Sequence, residues 1–220
     1  WTDAPQAVFT QPMNDFLGPE TLLYEEHEGW AVVSMRLDPM YYEEIPRDTS
    51  IQTRRQRRRD LRKRRRNRPE ETEEGHQIIR LAEADTDFLD KGVRGMRSFA
   101  ADFTGLCGAP AMFVIVDKVT GGGPKTWKMK LDNAQFRGNA FISGVVGPRP
   151  YLKGAFIHPR NVTITRGIEA VGGGEFFVVL TIQRGMAPRI AVKGEGLETE
   201  VVIGRRKISF DGEKVVLGTP

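Results

Sequence analysis

The sequence predicts an all-β protein, an antiparallel β-sandwich with a charged, partly helical insertion at about residues 46–90. Two observations predict this class. Short apolar runs rich in Val, Ile, Phe and Thr recur at intervals of roughly eight to twelve residues, separated by Gly, Pro and Asp. Several runs also alternate apolar and polar side chains, which is the period of a strand. We expect one domain over residues 1–220, interrupted by the insertion.

Four segments predict the main strands. Residues 30–37 carry an apolar side chain at every second position, which predicts a half-buried strand with one apolar face made of Ala31, Val33, Met35 and Leu37. Residues 111–116 and 176–180 are unbroken apolar runs rich in β-branched and aromatic residues, which predicts central strands covered on both faces. Residues 127–132 alternate apolar side chains with lysine and aspartate, so this strand should have one face in water.

Glycine-rich turns connect these strands. Residues 120–124 and 171–175 each contain three consecutive glycines between two apolar runs. Neither turn is followed by a helical pattern or by the Lys-Ser/Thr pair of a P-loop, so neither predicts a nucleotide site. Asp211 and Gly212 separate two short apolar runs, which predicts a hairpin and a closing β meander.

Residues 46–90 lack the strand alternation. Residues 49–66 and 69–84 are rich in good helix formers, and we expect a helical or partly disordered insertion there. Residues 54–68 contain eleven Arg or Lys and a single acid, Asp60, so this window carries +10 while the rest of the chain carries −6. The basic character of the protein therefore comes from one segment.

The arginine run has three open explanations. It could clamp a sulfated or uronate polyanion through bidentate guanidinium contacts, or neutralise the phosphates of a nucleic acid, or form a solvated insertion that binds nothing. No aromatic residue lies within 54–68, so base stacking has no support there. The candidate polyanion-binding residues are Arg57, Arg58, Arg59, Arg62, Arg64, Arg65 and Arg66.

Several classes of protein are not indicated. No stretch approaches the ~20 apolar residues of a membrane span, and we expect no membrane partner. Residues 1–14 lack the basic start and apolar core of a signal peptide. Cys107 is the single cysteine and is expected to be structural. The histidines are His27, His76 and His158, and none has a partner at metal-ligand spacing, so we expect neither a metal nor another cofactor.

A family resemblance rests on residues 93–132, which read VRGMRSFAADFTGLCGAPAMFVIVDKVTGGGPKTWKMKLD. The stretch resembles heparinase II/III-like polysaccharide lyases, in which an Arg-rich strand leads into an F-V-V-V-D-x-V strand and then into a Trp-bearing strand. Residues 28–33 with Tyr41 and Tyr42 resemble the strand before it. Residues 174–179 and 208–212 resemble the closing strands of that domain.

The resemblance implies a protein in two parts. Such lyases hold an acidic polysaccharide between an N-terminal helical toroid and a C-terminal, supersandwich-like β domain, and cleave it by β-elimination beside a uronate carboxylate. This chain would be the β domain, with the polysaccharide and the toroid of the same parent protein as partners, outside the cell or in the periplasm. The alternative is a non-catalytic module in which the arginine run binds a polyanion or nucleic acid.

The chain departs from the family in its candidate chemistry. It has no His-x-His segment, so the resemblance assigns no catalytic residue, and we expect this chain alone to lack catalysis. Its aromatic residues in or beside strands are expected to pack rather than to act as a base or as a sugar platform. They are Tyr24, Trp30, Tyr41, Tyr42 and Trp127. His27 is expected to lie in an exposed turn.

Overall fold

The computed structural model of this chain describes residues 18–46, 70–71, 77–80, 86–131, 134–160 and 168–220. These residues form an antiparallel all-β fold, as predicted. The strands, in chain order, are β1 Glu20–His27, β2 Trp30–Arg36, β3 Glu43–Pro46, β4 Glu70–Glu71, β5 Gln77–Arg80, β6 Thr86–Asp90, β7 Arg94–Asp102, β8 Ala111–Thr120, β9 Lys125–Met129, β10 Ala134–Arg137, β11 Ala140–Ser143, β12 Tyr151–His158, β13 Ile168–Gly172, β14 Glu175–Gln183, β15 Ile190–Lys193, β16 Glu200–Ile203, β17 Arg206–Phe210 and β18 Val215–Gly218. Short 3₁₀ turns occur at Asp38–Tyr41 and Gly196–Glu198.

An eight-stranded sheet organises the fold, in the order β1-β2-β7-β8-β14-β12-β11-β10. The meander β15-β16-β17-β18 forms a second sheet, and β9 pairs with β13 in a third. Strands β3, β6, β5 and β4 form a fourth sheet. The two unbroken apolar runs are neighbours, β8 and β14, at the middle of the large sheet, which confirms that they are central.

The first core fills the space between one face of the large sheet and the closing meander. Alternate residues of β8 and β14 point into it, because successive side chains of a strand face opposite sides. The fully buried members include Val114, Val116, Phe177, Val179, Val201, Ile203 and Ile208. Two packed sheets with a shared apolar interior make this part of the fold a sandwich.

The second core lies on the opposite face of the large sheet, under β9 and β13. Trp127 of β9 packs edge-on against Phe156 at 5.2 Å between ring centroids, and Phe141 packs on Phe156 at 6.0 Å. Gly154 lies beneath the Phe141 ring, where a Cβ would come within 2.0 Å of Cζ. Trp127 and Met129 are buried while Lys130 is exposed, which confirms that one face of this alternating segment is wet.

Strand β2 differs from the prediction in which face is deeper. Val32 and Ser34 are the buried residues, each about 1% exposed, whereas the predicted apolar face at Ala31, Val33 and Met35 is half-buried. A buried serine needs a partner for its hydroxyl. Ser34 Oγ donates to Ser98 Oγ at 3.0 Å, and Ser98 Oγ accepts the backbone N–H of Val215. This pairing lets a polar side chain face the core.

The described part of the insertion contradicts the prediction of helix. Strands β4, β5 and β6 lie within residues 69–90, and β5 pairs with β4 and β6. Helix propensity is a weak prior that pairing of the backbone overrides, and the β-branched pair Ile78 and Ile79 favours a strand. The predicted helical residues 49–66 and the arginine window 54–68 lie outside the described residues.

The predicted turns lie where expected. The glycine-rich segments 120–124 and 171–175 connect β8 to β9 and β13 to β14. The Asp211–Gly212 pair lies in the turn between β17 and β18. Asp211 Oδ1 accepts the backbone N–H groups of Glu213 and Lys214, at 2.9 and 2.8 Å, which fixes the turn.

A buried ion pair joins the two sheets of the sandwich. Arg206 of β17 donates from Nε to Asp102 of β7 at 2.6 Å, and both side chains are at most 5% exposed. Thr104 completes the site, since its hydroxyl and backbone N–H donate to Asp102 Oδ1 at 2.6 and 2.9 Å. Burial alone would raise the pKa of Asp102, but these hydrogen bonds outweigh it and lower the pKa below its ordinary value.

Candidate functional site

The polyanion-binding residues predicted from the sequence cannot be placed in the fold. All seven, Arg57, Arg58, Arg59, Arg62, Arg64, Arg65 and Arg66, lie outside the described residues. Their assignment stays a prediction.

The side chains considered for catalysis do not assemble a reactive centre among the described residues. Cys107 is fully buried and its Sγ contacts the carbonyl of Ala109 at 3.4 Å, and burial raises the pKa of its thiol. His27 is exposed and stacks on Trp30, with ring centroids 4.1 Å apart. In the described part of the chain, no three His, Cys, Asp or Glu side chains are placed to hold a metal ion. None of the described residues belongs to a helix long and apolar enough to cross a bilayer.

The tyrosines differ in environment. Tyr24 is 61% exposed and donates a hydrogen bond to Glu26, so the expectation that it packs is wrong. Tyr41 lies against Gly95, where a Cβ would come within 2.5 Å of its ring. Burial and the neighbouring Asp117 raise the pKa of Tyr41 to about 12 despite the opposing Arg97. Tyr41 therefore keeps its proton at neutral pH and is a poor general base.

The half-buried phenol of Tyr41 predicts a pH dependence of stability. The folded chain holds the Tyr41 proton to about pH 12, above the ordinary value of 10.0 that we take for the unfolded chain. The stability from this group is thus fully present below pH 10 and is lost as the pH rises through 12. We expect the Tyr41→Phe variant to lose less free energy of unfolding than the parent over this range, measured by urea unfolding at each pH. Equal slopes for the two proteins would contradict the prediction.

Many described cations are already occupied by acids. Arg97 donates to both carboxylate oxygens of Asp117, at 2.6 and 2.7 Å. Arg94 binds Asp90 in the same bidentate way, at 2.8 Å for each contact. These pairs neutralise both arginines of β7, so Lys118 is the one cation on β7 and β8 that forms no ion pair with a described residue.

A group of unpaired cations lies on or beside strands β10, β12, β14 and β15, away from β7, and we call it the basic flank. Residues 134–160 contain four Arg or Lys and residues 176–194 contain three, and neither segment contains an acid. None of these seven side chains forms an ion pair with any residue in the described ranges. All are exposed except Lys153, which is half-buried. The basic flank consists of Arg137, Arg149, Lys153, Arg160, Arg184, Arg189 and Lys193.

Strand pairing brings the two segments of the basic flank together. β12 pairs with β14 in the large sheet, and the register places Lys153 opposite Thr181. At one end the N–H of Gly185 donates to the carbonyl of Gly147 at 2.9 Å. Elsewhere along the flank, Arg160 donates to the carbonyl of Gly194 at 2.8 Å. Two segments that are distant in the sequence are therefore adjacent in the fold, with Arg149 and Arg184 near one end of the β12–β14 pair and Arg160 near the other.

The opposite edge of the large sheet carries the opposite charge. Residues 19–36, which form β1 and β2, contain four glutamates and a single arginine. That arginine, Arg36, is paired with Glu20, and Glu25 is paired with Lys214. Within the described ranges, unpaired positive charge thus lies on the basic flank, while Glu26 and Glu28 leave unpaired negative charge at the β1 edge.

Sequence reasoning missed the basic flank. The two acid-free segments are visible in the sequence as a count of charges, but no local pattern indicates that they are adjacent in the fold. No protein-family model and no curated protein matches the chain.

Proposed function

We propose that this chain is the C-terminal β domain of a heparinase II/III-like polysaccharide lyase and binds an acidic, uronate-containing polysaccharide on its basic flank. The observation that carries the proposal is the set of seven cations that no described acid neutralises. Like charges on one surface repel unless an anion relieves them, and guanidinium groups match carboxylates through two parallel hydrogen bonds. A polyuronate supplies carboxylates at regular intervals.

In this proposal the chain contributes binding and not proton transfer. β-Elimination needs a base beside the uronate and a group that neutralises its carboxylate. A helical toroid of the same parent protein would supply the base. The β domain would hold the polysaccharide in place outside the cell or in the periplasm. The family resemblance of residues 93–132 supports this assignment of catalysis to the toroid and of binding to the β domain.

Nucleic acid fits the basic flank less well. Proteins that bind single strands combine cations with exposed aromatic rings on which the bases stack. The loops 144–150 and 184–189, which carry three of the seven cations, contain no aromatic residue. These two loops therefore offer charge without a stacking surface, and the exposed ring beside Arg137, Phe136, already packs against Phe141.

Neutralising three cations of the basic flank tests the proposal. We expect the Arg137→Gln, Lys153→Gln, Arg160→Gln variant to bind alginate about tenfold more weakly than the parent, since each exposed contact contributes up to ~1 kcal/mol. The measurement is isothermal titration at near-physiological salt. Duplex DNA, titrated under the same conditions, should bind more weakly than alginate.

The matched control removes three exposed, unpaired cations outside the flank, at Lys118, Lys130 and Arg205. It changes the net charge equally and should retain affinity within about twofold. Equal losses in both variants would indicate a general charge effect and refute the site. Loss of binding only when Arg62, Arg64 and Arg65 become Ala would move the site to the arginine run.

A further inference from the structure

Two loops of the basic flank form a single unit, which we call the paired loops. They are residues 144–150, between β11 and β12, and residues 184–189, between β14 and β15. The hydrogen bond from Gly185 N to Gly147 O joins them at 2.9 Å. Three prolines, at positions 148, 150 and 188, further restrict their backbones.

A chain of buried hydrogen bonds fixes the base of the paired loops. Thr181 donates to the Oε1 atom of Gln183 at 2.9 Å, and the amide of Gln183 donates to the Tyr151 hydroxyl at 2.7 Å. The Tyr151 hydroxyl then donates to the carbonyl of Gly185 at 2.6 Å. All three side chains are buried, so the chain is shielded from water. Loops held in this way lose little conformational entropy when they bind.

The tips of the paired loops are apolar. Val145, Val146 and Met186 are 80%, 56% and 92% exposed, which places them among the most exposed large apolar side chains in the described residues. Single apolar side chains on a surface are ordinary, but three on two joined loops form a patch. Exposures of 80% and 92% mean that little of the fold touches Val145 and Met186, so these two side chains protrude. Val146, the neighbour of Val145, is more than half exposed.

Arginines flank the apolar tips. Arg149, Arg184 and Arg189 are exposed, and the paired loops contain no acid. A polysaccharide would satisfy the guanidinium groups but offers no apolar phase for the tips. A folded protein partner would need a pocket shaped to the protrusion. An anionic bilayer offers phosphates at its surface and hydrocarbon just below, and it surrounds a protruding tip from all sides.

We infer that the paired loops dock this chain on an anionic lipid surface. Val145, Val146 and Met186 enter the boundary between headgroups and acyl chains, while the flanking arginines bind lipid phosphates. The contact is peripheral, since loops of this length reach the interface and do not cross it. It departs from the sequence-based expectation of no membrane partner, which rested on the absence of an apolar span. It requires no polysaccharide and leaves the sheet cations of the flank, Arg137 and Lys153, free.

Vesicle co-sedimentation tests the inference. We expect the chain to sediment with vesicles of phosphatidylcholine and phosphatidylglycerol mixed at about 7 to 3, and not with phosphatidylcholine alone. The Val145→Ser, Val146→Ser, Met186→Ser variant should bind at least about tenfold more weakly, while its alginate affinity stays at the parent value. Leu22→Ser with Val171→Ser is the matched control, because both residues are 53% exposed and lie outside the paired loops.

A labelled variant reports insertion directly. Met186→Cys carries an environment-sensitive fluorophore, and buried Cys107 is protected from the label. We expect a blue shift with anionic vesicles and none with the label at Leu22→Cys. Free glycerol phosphate in excess should not prevent the shift. Absence of vesicle binding, equal binding by the serine variant, or displacement by glycerol phosphate would each overturn the inference, whatever the result with alginate.

Discussion

Replacing Arg206 with Met lowers the free energy of unfolding by about 3–5 kcal/mol, because it leaves a buried carboxylate without its cation. Asp102 is about 1% exposed, and its ion pair with Arg206 joins the large sheet to the closing meander. Thr104 would still donate two hydrogen bonds, but no positive charge would remain beside the carboxylate. Urea unfolding at pH 7 measures the loss.

Two further variants separate the buried charge from a general effect. Lys207→Met removes the neighbouring, exposed pair with Glu200 and should cost less than about 1 kcal/mol. Adding Asp102→Leu to Arg206→Met should recover most of the lost stability, because an apolar pair can replace a buried ion pair at little cost. A double variant no more stable than Arg206→Met alone would refute the explanation.

The Gly154→Ala substitution should destabilise the protein by about 3 kcal/mol, since it overpacks the second core. The added methyl group would lie 2.0–2.5 Å from three atoms of the Phe141 ring. That ring is about 1% exposed and is held between Phe136 and Phe156, so it has little room to move. Thermal unfolding followed by circular dichroism would record the lower Tm.

The effect at Gly154 is steric and should depend on Phe141. Gly173→Ala is the matched control, because a Cβ there meets nothing within 4 Å, and its Tm should change little. Phe141→Leu combined with Gly154→Ala should cost less than the sum of the two single changes. Additive losses would show that the glycine is needed for its backbone and not for the space that it leaves.

Local pattern predicted much of this fold, because strand period and turn chemistry are visible over a few residues. The unbroken runs of β8 and β14, the alternation of β9 and the Asp211 hairpin were all predicted from neighbours in sequence. The deeper face of β2 was not predicted from local pattern, because the burial of Ser34 depends on a hydroxyl hydrogen bond to Ser98, 64 positions away. Composition also failed for β5, where pairing with β6 overrides helix propensity.

The candidate site was less predictable than the strands, because it too depends on contacts between residues that are distant in the sequence. The basic flank exists because β12 pairs with β14, which brings residues 134–160 beside residues 176–194. No pattern among neighbouring residues in the sequence predicts that β12 pairs with β14. The paired loops depend on long-range contacts, which include the backbone hydrogen bond from Gly185 to Gly147 and the bond from the Tyr151 hydroxyl to Gly185. The sequence shows them only as two unrelated proline-containing turns.

The separation of charge across the large sheet has a kinetic consequence. Among the described residues, Glu26 and Glu28 lie at or beside β1 without a cationic partner, and the unpaired cations of the basic flank lie toward the other side of the sheet, so these charges form a dipole across it. Near a negatively charged polymer or surface, the domain turns its positive side forward before any atom touches. Added salt weakens this long-range torque much more than it weakens short-range contacts. Ionic strength should therefore change how often the domain arrives in a productive orientation, and change little how long it stays.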